Sequence, residues 1–433
     1  MGEEDTFRSR TGKSARLFSR AKRVMPGGVC HTIRYYPPYP FYAREARGGH
    51  VFDVDGNDYV DFWMGHGALI LGHTPGPVIE AIREQVATGC QWGMVNELQV
   101  ELAEAVVDMV PCAEMVRFCN TGAEATMYAC RLARGFTGRS RLAKIEGGWH
   151  GFNPDLLAYI HHPQGTPEST GLNRAADSTL PLPFNDLEGS LDAIRSCGKD
   201  LAAIVVEPVL GSGGFVPAEV DYLRGLREVA DELDTLLVFD EVITGFRLGP
   251  GGGQEHFGVT PDLATLGKIL GGGMPIGAVV GSEDVLGLSD ATSLEPGEFV
   301  AIGGGTFSAN PITMRAGLEV LRHLKSSPGI YERLARMGER ARRTLEDLVV
   351  PERHVRSTGI GSLFRTHFCF EEGQEIRSAE DAHEKADEGL QEWFKLAMAN
   401  RGIYILGGGG AISTAHTDGD LERLRRACEN LSG

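Results

Sequence analysis

The chain has 433 residues, of which 42% are hydrophobic and 23% are charged, and its formal net charge at pH 7 is -17. This composition is typical of a globular protein with ample apolar material for a core, and the length predicts one large and one smaller domain. The negative charge excludes nucleic acid and anionic membrane surfaces as expected partners, because both would repel the protein.

The cysteine pattern indicates a reducing compartment. Eight cysteines are widely spaced and include no CxxC pair, unlike the dense framework of a small secreted domain. The N-terminal residues lack the apolar core of a signal peptide, and no later stretch approaches the roughly 18 apolar residues of a membrane span. We therefore expect a cytoplasmic protein that contacts no membrane.

The first seventy residues predict an irregular arm followed by a hairpin. Glycine, proline and aromatic residues crowd positions 25–41, which disfavours a helix there. Two extended runs follow, at 50–54 and 59–62, and an Asp-Gly turn signal joins them.

Two helices are predicted next. The first begins at Pro75 and stops near Gly89, and the second covers 97–109. The apolar face expected for the first helix consists of Val78, Ile79, Ile82 and Val86.

Short apolar runs then alternate with amphipathic segments, which is typical of a parallel sheet covered by helices on both faces. These runs are VRFC at 116, RLAKI at 141, LAAIVVEP at 201, TLLVFDEV at 235, DLATLG at 262 and IGAVVG at 276. The prediction is therefore an N-terminal arm with part of a small domain over 1–72, a large α/β domain over 73–315, and a C-terminal small α+β domain over 316–433.

The segment TPDLATLGKILGGGMPIGAVVG contains the first chemical signal. Lys268 follows one predicted strand, and three glycines come after it, so its amine can reach a cleft at the sheet edge beside a bulky planar ligand. Taken alone, a lysine in such a turn is more often solvated.

A carboxylate in the preceding strand strengthens that signal. Asp240 ends the apolar run in LLVFDEV and should lie at the carboxyl end of its strand, where α/β sheets bind ligands. A pyridoxal ring needs a carboxylate there, because pairing with the pyridine nitrogen keeps the ring an electron acceptor.

No metal site is predicted. The chain has no HExxH motif, and the adjacent His161 and His162 are interpreted as part of a polar loop.

Five further motifs follow one another along the chain: NTGAEATMYACRLARGFTGR, VEPV, FDEVITGFR, LGKILGGGMPIGA and GTFSANP. In this order they resemble the motifs of the class III aminotransferase family, and within it those of glutamate-1-semialdehyde 2,1-aminomutase and its aminotransferase relatives. The resemblance extends from the MPGGV segment to ISTAH and implies an α/β fold of the aspartate-aminotransferase-like kind, fold type I. It also implies the cofactor pyridoxal 5'-phosphate.

The resemblance assigns roles residue by residue. Lys268 would form the Schiff base and act as general base, and Asp240 would pair with the ring nitrogen. Further cofactor contacts are implied for seven residues, whose alternative roles are ordinary packing or turn formation. They are Thr121, Gly122 and Ala123 at the phosphate, Trp149 and Val242 on the two ring faces, His150 beside the ring, and Glu207 in support.

Two more assignments concern the partner subunit and the substrate. Thr306 resembles a threonine that reaches the phosphate from the other subunit, which predicts a homodimer with shared active sites. Arg34 resembles an arginine that binds the substrate carboxylate through its planar fork, although a surface arginine would fit the same pattern.

The resemblance implies amino transfer through Schiff-base and pyridoxamine-phosphate intermediates, and three departures bear on its form. Gly408 stands where the aminomutase carries a gating glutamate, His66 replaces a tryptophan, and Ser212 replaces an asparagine. These changes favour an aminotransferase that moves an amino group from an amino acid, including β-amino acids, to a 2-oxo acid. The alternatives are intramolecular transfer of the aminomutase type and a cofactor-binding protein without turnover.

Overall fold

An N-terminal arm packs against a small sheet. In the computed structural model, which describes residues 2–160, 179–292, 295 and 297–432, positions 25–41 are irregular apart from two short 3-10 turns, as predicted. The elements of this region are helices α1 (Glu3–Arg10), α2 (Gly12–Ala21) and α3 (Met64–Gly67), and strands β1 (Ala43–Arg47), β2 (His50–Asp53) and β3 (Asp58–Asp61). The pairing of β2 with β3 confirms the predicted hairpin.

A seven-stranded sheet forms the centre of the next region. Its strands, with the small pair β8 and β9, are β4 (Met115–Cys119), β5 (Arg141–Ile145), β6 (Thr179–Leu182), β7 (Leu201–Val206), β8 (Val209–Leu210), β9 (Val216–Pro217), β10 (Leu236–Asp240), β11 (Leu263–Gly267) and β12 (Gly277–Gly281). The strand order is β4-β12-β11-β10-β7-β5-β6, and only β12 runs antiparallel to its neighbours. Each of the six predicted apolar runs forms a strand.

Helices cover both faces of this sheet, as burial at every position of the central strands requires. They are α4 (Gly76–Thr88), α5 (Glu97–Met109), α6 (Gly122–Thr137), α7 (Leu187–Cys197), α8 (Val220–Glu232), α9 (Gly252–Phe257), α10 (Glu283–Leu286) and α11 (Pro311–Ser326). In β10, Val238 packs with α6, while Leu237 and Phe239 belong to the core on the opposite face.

The apolar face predicted for α4 is wrong at one position. The buried residues of this helix are Val78, Ala81 and Gln85, whereas Val86 is 50% exposed. Ala81 and Gln85 share a stripe with Val78 at helical spacing, so the buried face is rotated away from Val86.

The remaining chain forms a second α+β layer. Its elements are α12 (Gly329–Glu346), β13 (His354–Thr358), β14 (Leu363–Cys369), α13 (Ala379–Glu384), α14 (Glu388–Asn400), β15 (Ile403–Tyr404), β16 (Gly409–Ala411) and α15 (Asp418–Ser432). Strand β15 completes the N-terminal sheet beside β3, and β13, β14 and β16 form a separate antiparallel sheet. The first and last parts of the chain are therefore joined through one sheet. No helix in the described ranges is both long and apolar enough to cross a membrane.

Candidate active site

Lys268 lies in the turn between β11 and β12, as predicted. It begins a 3-10 turn with φ of 46°, a left-handed conformation that lysine rarely adopts. Its ammonium group makes no hydrogen bond or salt bridge with the described residues. Burial lowers the pKa of Lys268 from its ordinary value, although the charges of Asp240 and Glu207 oppose that shift. The position therefore favours a reactive neutral amine.

Asp240 is buried at the carboxyl end of β10, where the sequence placed it. One carboxylate oxygen accepts a hydrogen bond from His150 Nδ1 at 2.7 Å, and the other accepts from Val242 N and Thr265 Oγ1, both at 3.1 Å. Burial alone would raise the pKa of Asp240, but the hydrogen bond and charge of His150, with the charge of Lys268, lower it. Asp240 is therefore held as a carboxylate.

Glu207 secures the loop that carries Trp149. Its carboxylate accepts hydrogen bonds from Trp149 N at 2.9 Å and from Gly211 N at 3.0 Å. Burial raises the pKa of Glu207, and the charge of His150 opposes the rise. The half-buried indole of Trp149 meets the Phe152 ring edge-on, with 5.3 Å between centroids.

A buried lysine that the sequence analysis did not single out supports the same loop. The Lys144 ammonium donates to the carbonyl oxygens of Gly148, Leu156 and Ala158 at 2.7–3.0 Å. These hydrogen bonds fix the loop between β5 and residue 160 on both sides of the Trp149-His150 pair, at Gly148 before it and at Leu156 and Ala158 after it. Nothing in the apolar pattern of β5 distinguished this lysine.

The start of α6 offers backbone N–H groups to an anion. Thr121 caps the helix by accepting from Glu124 N at 3.1 Å, which leaves the N–H groups of Gly122 and Ala123 at the open first turn. A Cβ on Gly122 would lie 3.0 Å from a methyl of Val242, so glycine permits the close approach of these segments.

The run TLLVFDEV predicts that the strand of Asp240 continues to Val242, and this placement of Val242 is wrong. Strand β10 ends at Asp240, and Val242 lies in the following turn because its N–H bonds to the Asp240 carboxylate instead of the β ladder. Its side chain nonetheless packs between Gly122 and Gly267.

These groups fit pyridoxal 5'-phosphate. The cofactor needs an amine for its aldehyde, a carboxylate for its ring nitrogen and N–H donors for its phosphate. Lys268 supplies an amine without a partner among the described residues, and Asp240 supplies the ionised carboxylate.

A second set of residues lies on the N-terminal side of this cluster. The short element α3, residues 64–67, is a left-handed turn instead of a regular helix, and His66 within it has φ of 62°. The His66 ring stacks on His31 at 5.3 Å and meets Trp63 edge-on at 4.9 Å. Burial, with the charges of Arg34, His31 and Lys268, lowers the pKa of His66 to about 4. A neutral imidazole thus lies near both Arg34 and Lys268.

Arg34 and Thr306 are both exposed. Arg34 ends the 3-10 turn at 32–34 and forms no salt bridge within the described residues. The Thr306 carbonyl accepts from Gln91 Nε2, and the loop continues to Ser308, whose Oγ accepts from Asn120 Nδ2 at 3.5 Å. The Thr306 loop therefore reaches the segment that leads into α6.

Other residues around the cluster were missed by the sequence analysis. Thr265 pairs in register with Asp240 across β10 and β11, a neighbour that the strand order reveals. Arg247 is buried and donates to Ser362 Oγ at 3.0 Å and to the Gly67 carbonyl, so it holds the turn that carries His66. Its presence in FDEVITGFR was the available signal.

The fold and this residue cluster define an aminotransferase. The model of the family "Aminotransferase class-III" matches residues 33–414, and the chain belongs to that family. Membership confirms the predicted fold, the predicted family and the prediction of an enzyme that uses pyridoxal 5'-phosphate.

Individual relatives point to two activities. Glutamate-1-semialdehyde 2,1-aminomutase of Methanothermobacter thermautotrophicus is 42% identical over 97% of this chain and 99% of its own. An omega-transaminase from Sphaerobacter thermophilus is 37% identical, with a TM-score of 0.87, over 97% of this chain and 98% of its own. A beta-phenylalanine aminotransferase from Variovorax paradoxus is 33% identical, with a TM-score of 0.88, over 98% and 94%. The curated relatives favour the alternative prediction, the aminomutase, over transfer between separate substrates.

Proposed function

We propose that this enzyme moves an amino group within one carboxylate-bearing substrate, in the manner of glutamate-1-semialdehyde 2,1-aminomutase. The observation that carries the proposal is the amine of Lys268, which has no hydrogen-bond or salt-bridge partner in the described part of the chain and lies beside the ionised Asp240. The chain also matches such aminomutases over nearly their whole length. Moving the amino group from carbon 2 to carbon 1 of glutamate-1-semialdehyde gives the isomer 5-amino-4-oxopentanoate.

The cofactor would be held from several sides. Lys268 would bond its aldehyde carbon, Asp240 its ring nitrogen, and the N–H groups of Thr121, Gly122 and Ala123 its phosphate. Trp149 and Val242 would cover the ring faces, while His150 and Glu207 would fix the neighbouring groups. When bound, pyridoxal 5'-phosphate supplies a protonated ring that accepts an electron pair from the substrate carbon.

Lys268 would also move the proton. Its Nζ accepts the proton from the substrate C–H and returns it at the second carbon, a role that suits an amine with a lowered pKa. His150 and Thr265 keep the Asp240 carboxylate in place throughout, because they bond its two oxygens separately.

Substrate orientation would come from Arg34. Its guanidinium forms no salt bridge within the described chain and lies near the neutral His66, so it can take a carboxylate in a two-pronged hydrogen bond. His66 would add a neutral ring to the wall of the site.

A second copy of the chain would complete the site. The exposed Thr306 lies in a loop beside the start of α6, and several apolar side chains around it are exposed, which supports a dimer interface. Their exposed fractions are 42% for Trp92, 78% for Met94, 85% for Val95 and 60% for Phe307.

Transfer between separate substrates is the second candidate. It is favoured by Gly408, which cannot supply the gating carboxylate expected of an aminomutase. It is also favoured by the similarity to the two transaminases, whose names describe reactions with separate donors.

One experiment distinguishes the candidates. The purified enzyme with its cofactor is given glutamate-1-semialdehyde alone, or an amino acid with a 2-oxo acid, and products are measured by mass spectrometry. Isomerisation without release of a free amino donor or acceptor supports the proposal. Turnover only with two substrates supports the second candidate, and no turnover in either mixture contradicts both.

A further inference from the structure

The sheet formed by β13, β14 and β16 carries an arginine without an acidic partner. Arg365 on β14 donates through Nη1 to the Ser212 carbonyl at 3.0 Å and through Nη2 to Gln391 Oε1 at 3.3 Å. Both acceptors are neutral, and no acidic side chain in the described part of the chain forms a salt bridge with Arg365. Its Nε is buried and finds no hydrogen-bond partner among the residues that the structure describes. A guanidinium in this state can gain a charge-assisted pair from an anion.

Arg365 lies beside the candidate active site. Ser212 follows Gly211, whose N–H donates to Glu207, and Glu207 in turn accepts from the backbone of Trp149. Three hydrogen bonds and a single peptide link therefore connect Arg365 to the loop that carries the proposed ring contact. Arg365 is half-buried, so a small ligand can still reach it.

Gly408 is on the other side of the same arginine. Strand pairing sets Arg365 opposite Gly409, and the Gly408 carbonyl accepts from Thr366 N at 2.9 Å. A Cβ on Gly408 would lie 3.6 Å from Gln391 Oε1, the atom that accepts from Arg365. Ser212 thus contacts Arg365 through its carbonyl, Gly408 lies next to the Gln391 side chain that accepts from Arg365, and neither supplies this arginine with a carboxylate.

We infer that Arg365 is a second carboxylate-binding residue, separate from Arg34, and that the enzyme accepts a dicarboxylic amino or oxo acid as one of its substrates. The inference rests on the second candidate function, transfer between separate substrates, because glutamate-1-semialdehyde has only one carboxylate, but the binding itself requires no turnover. It also predicts which substrates the second candidate function would use, since a dicarboxylic oxo acid would serve as acceptor.

Other groups near Arg365 do not fill this role. His367 lies two residues along β14 on the same face, and burial with the charge of Arg365 lowers its pKa to about 3, so it is neutral at physiological pH. Burial lowers the pKa of Arg365 and the negative charge of Glu388 acts to raise it, but the two side chains form no salt bridge in the described part of the chain.

The test uses two unreactive acids, glutarate and butyrate, which differ by one carboxylate. Calorimetry on the cofactor-loaded enzyme should give tighter binding of glutarate. In Arg365→Gln the affinity for glutarate should fall about 10- to 100-fold, which corresponds to the loss of a hydrogen-bonded ion pair, while butyrate binding stays within about twofold. Arg365→Lys should restore part of the affinity, and thermal unfolding with the visible spectrum should show both variants folded and loaded.

A second variant pair tests the same residue without altering it. Gly408→Glu should place a carboxylate beside Arg365 and weaken glutarate binding. Gly408→Gln is the matched control, because a side chain at a backbone φ of 73° causes the same strain in both variants but glutamine adds no charge. Equal glutarate affinity in these two variants, or unchanged affinity in Arg365→Gln, would overturn the inference. If Arg365→Gln behaves as expected but no mixture of substrates turns over, the proposed function fails while the binding site stands.

Discussion

The two sides of the candidate active site differ in how their charged groups are satisfied. On the central sheet, Asp240 and Glu207 are buried and each accepts at least two hydrogen bonds. On the opposite side, Arg34 and Arg365 have no acidic partner among the described residues. Arg34 is exposed and Arg365 is half-buried, so both guanidinium groups remain open to an anionic ligand.

We infer from this difference that the chemical step and the selection of substrate depend on separate sets of residues. Fully bonded carboxylates hold a fixed geometry for a cofactor, since every oxygen already has a donor. The guanidinium groups of Arg34 and Arg365, which have free donors, are instead proposed to bind the substrate. Changes on the sheet side should therefore remove catalysis, and changes on the arginine side should alter which substrates bind.

The largest effect is expected from Lys268→Ala. Without the amine, the rate of amino transfer should fall by about 10⁴-fold or more, because both the covalent link and the general base are lost. Product formation and the visible absorbance of the bound cofactor measure this change. Lys199→Ala on the surface serves as control, and a Lys268→Ala enzyme with substantial activity would refute the assignment.

Asp240→Asn should have the next largest effect. The amide keeps the shape but loses the charge, so the rate of amino transfer should fall at least about 100-fold, in line with the loss of a buried charge-assisted hydrogen bond. Stopped-flow measurement of the first half-reaction reports this rate. Asp284→Asn at an exposed site is the matched control, and equal rates in the two variants would contradict the role of Asp240.

On the arginine side, Arg34→Gln should act on substrate binding. We expect KM for a carboxylate substrate to rise about 10- to 100-fold with a smaller change in kcat, because the lost pair forms before the chemical step. Steady-state kinetics with the acid and its amide separate the effects. A variant with KM unchanged for the acid would show that another group binds the carboxylate.

The smallest effect concerns His66 and pH. Its folded pKa of about 4 lies below the ordinary value for histidine, so the unfolded chain binds a proton that the folded chain does not. Stability should therefore fall as the pH drops from about 6.5 towards 4, by roughly 1–2 kcal/mol after allowance for the partial exposure of His66.

Urea denaturation at pH 7.5 and pH 5 tests this point. In His66→Asn the loss of unfolding free energy between the two pH values should shrink, whereas His354→Asn, at an exposed histidine, should behave like the parent. An unchanged pH dependence in His66→Asn would show that other groups cause it.

Local sequence patterns determined much of the fold. Six apolar runs predicted strands because parallel strands buried on both faces need continuous apolar residues, and the 97–109 helix was predicted with its observed bounds. Lys268 could be found because it follows such a run, and Asp240 because it ends one. The family motifs added the remaining predicted contacts, whose roles stay predictions.

Tertiary structure alone decided what lies across the strands and between distant segments. The hydrogen bond from Thr265 to Asp240 depends on the order of the strands. The exposure of Val86 was missed because neighbouring elements set which face of α4 is buried. Arg365 comes close to Ser212 and Gly408 only when the chain folds. Periodicity reports whether a residue faces a core, since that depends on a few neighbours in sequence. It carries no information about which charge a distant segment brings, and at this site the proposed contacts with the substrate depend on those charges.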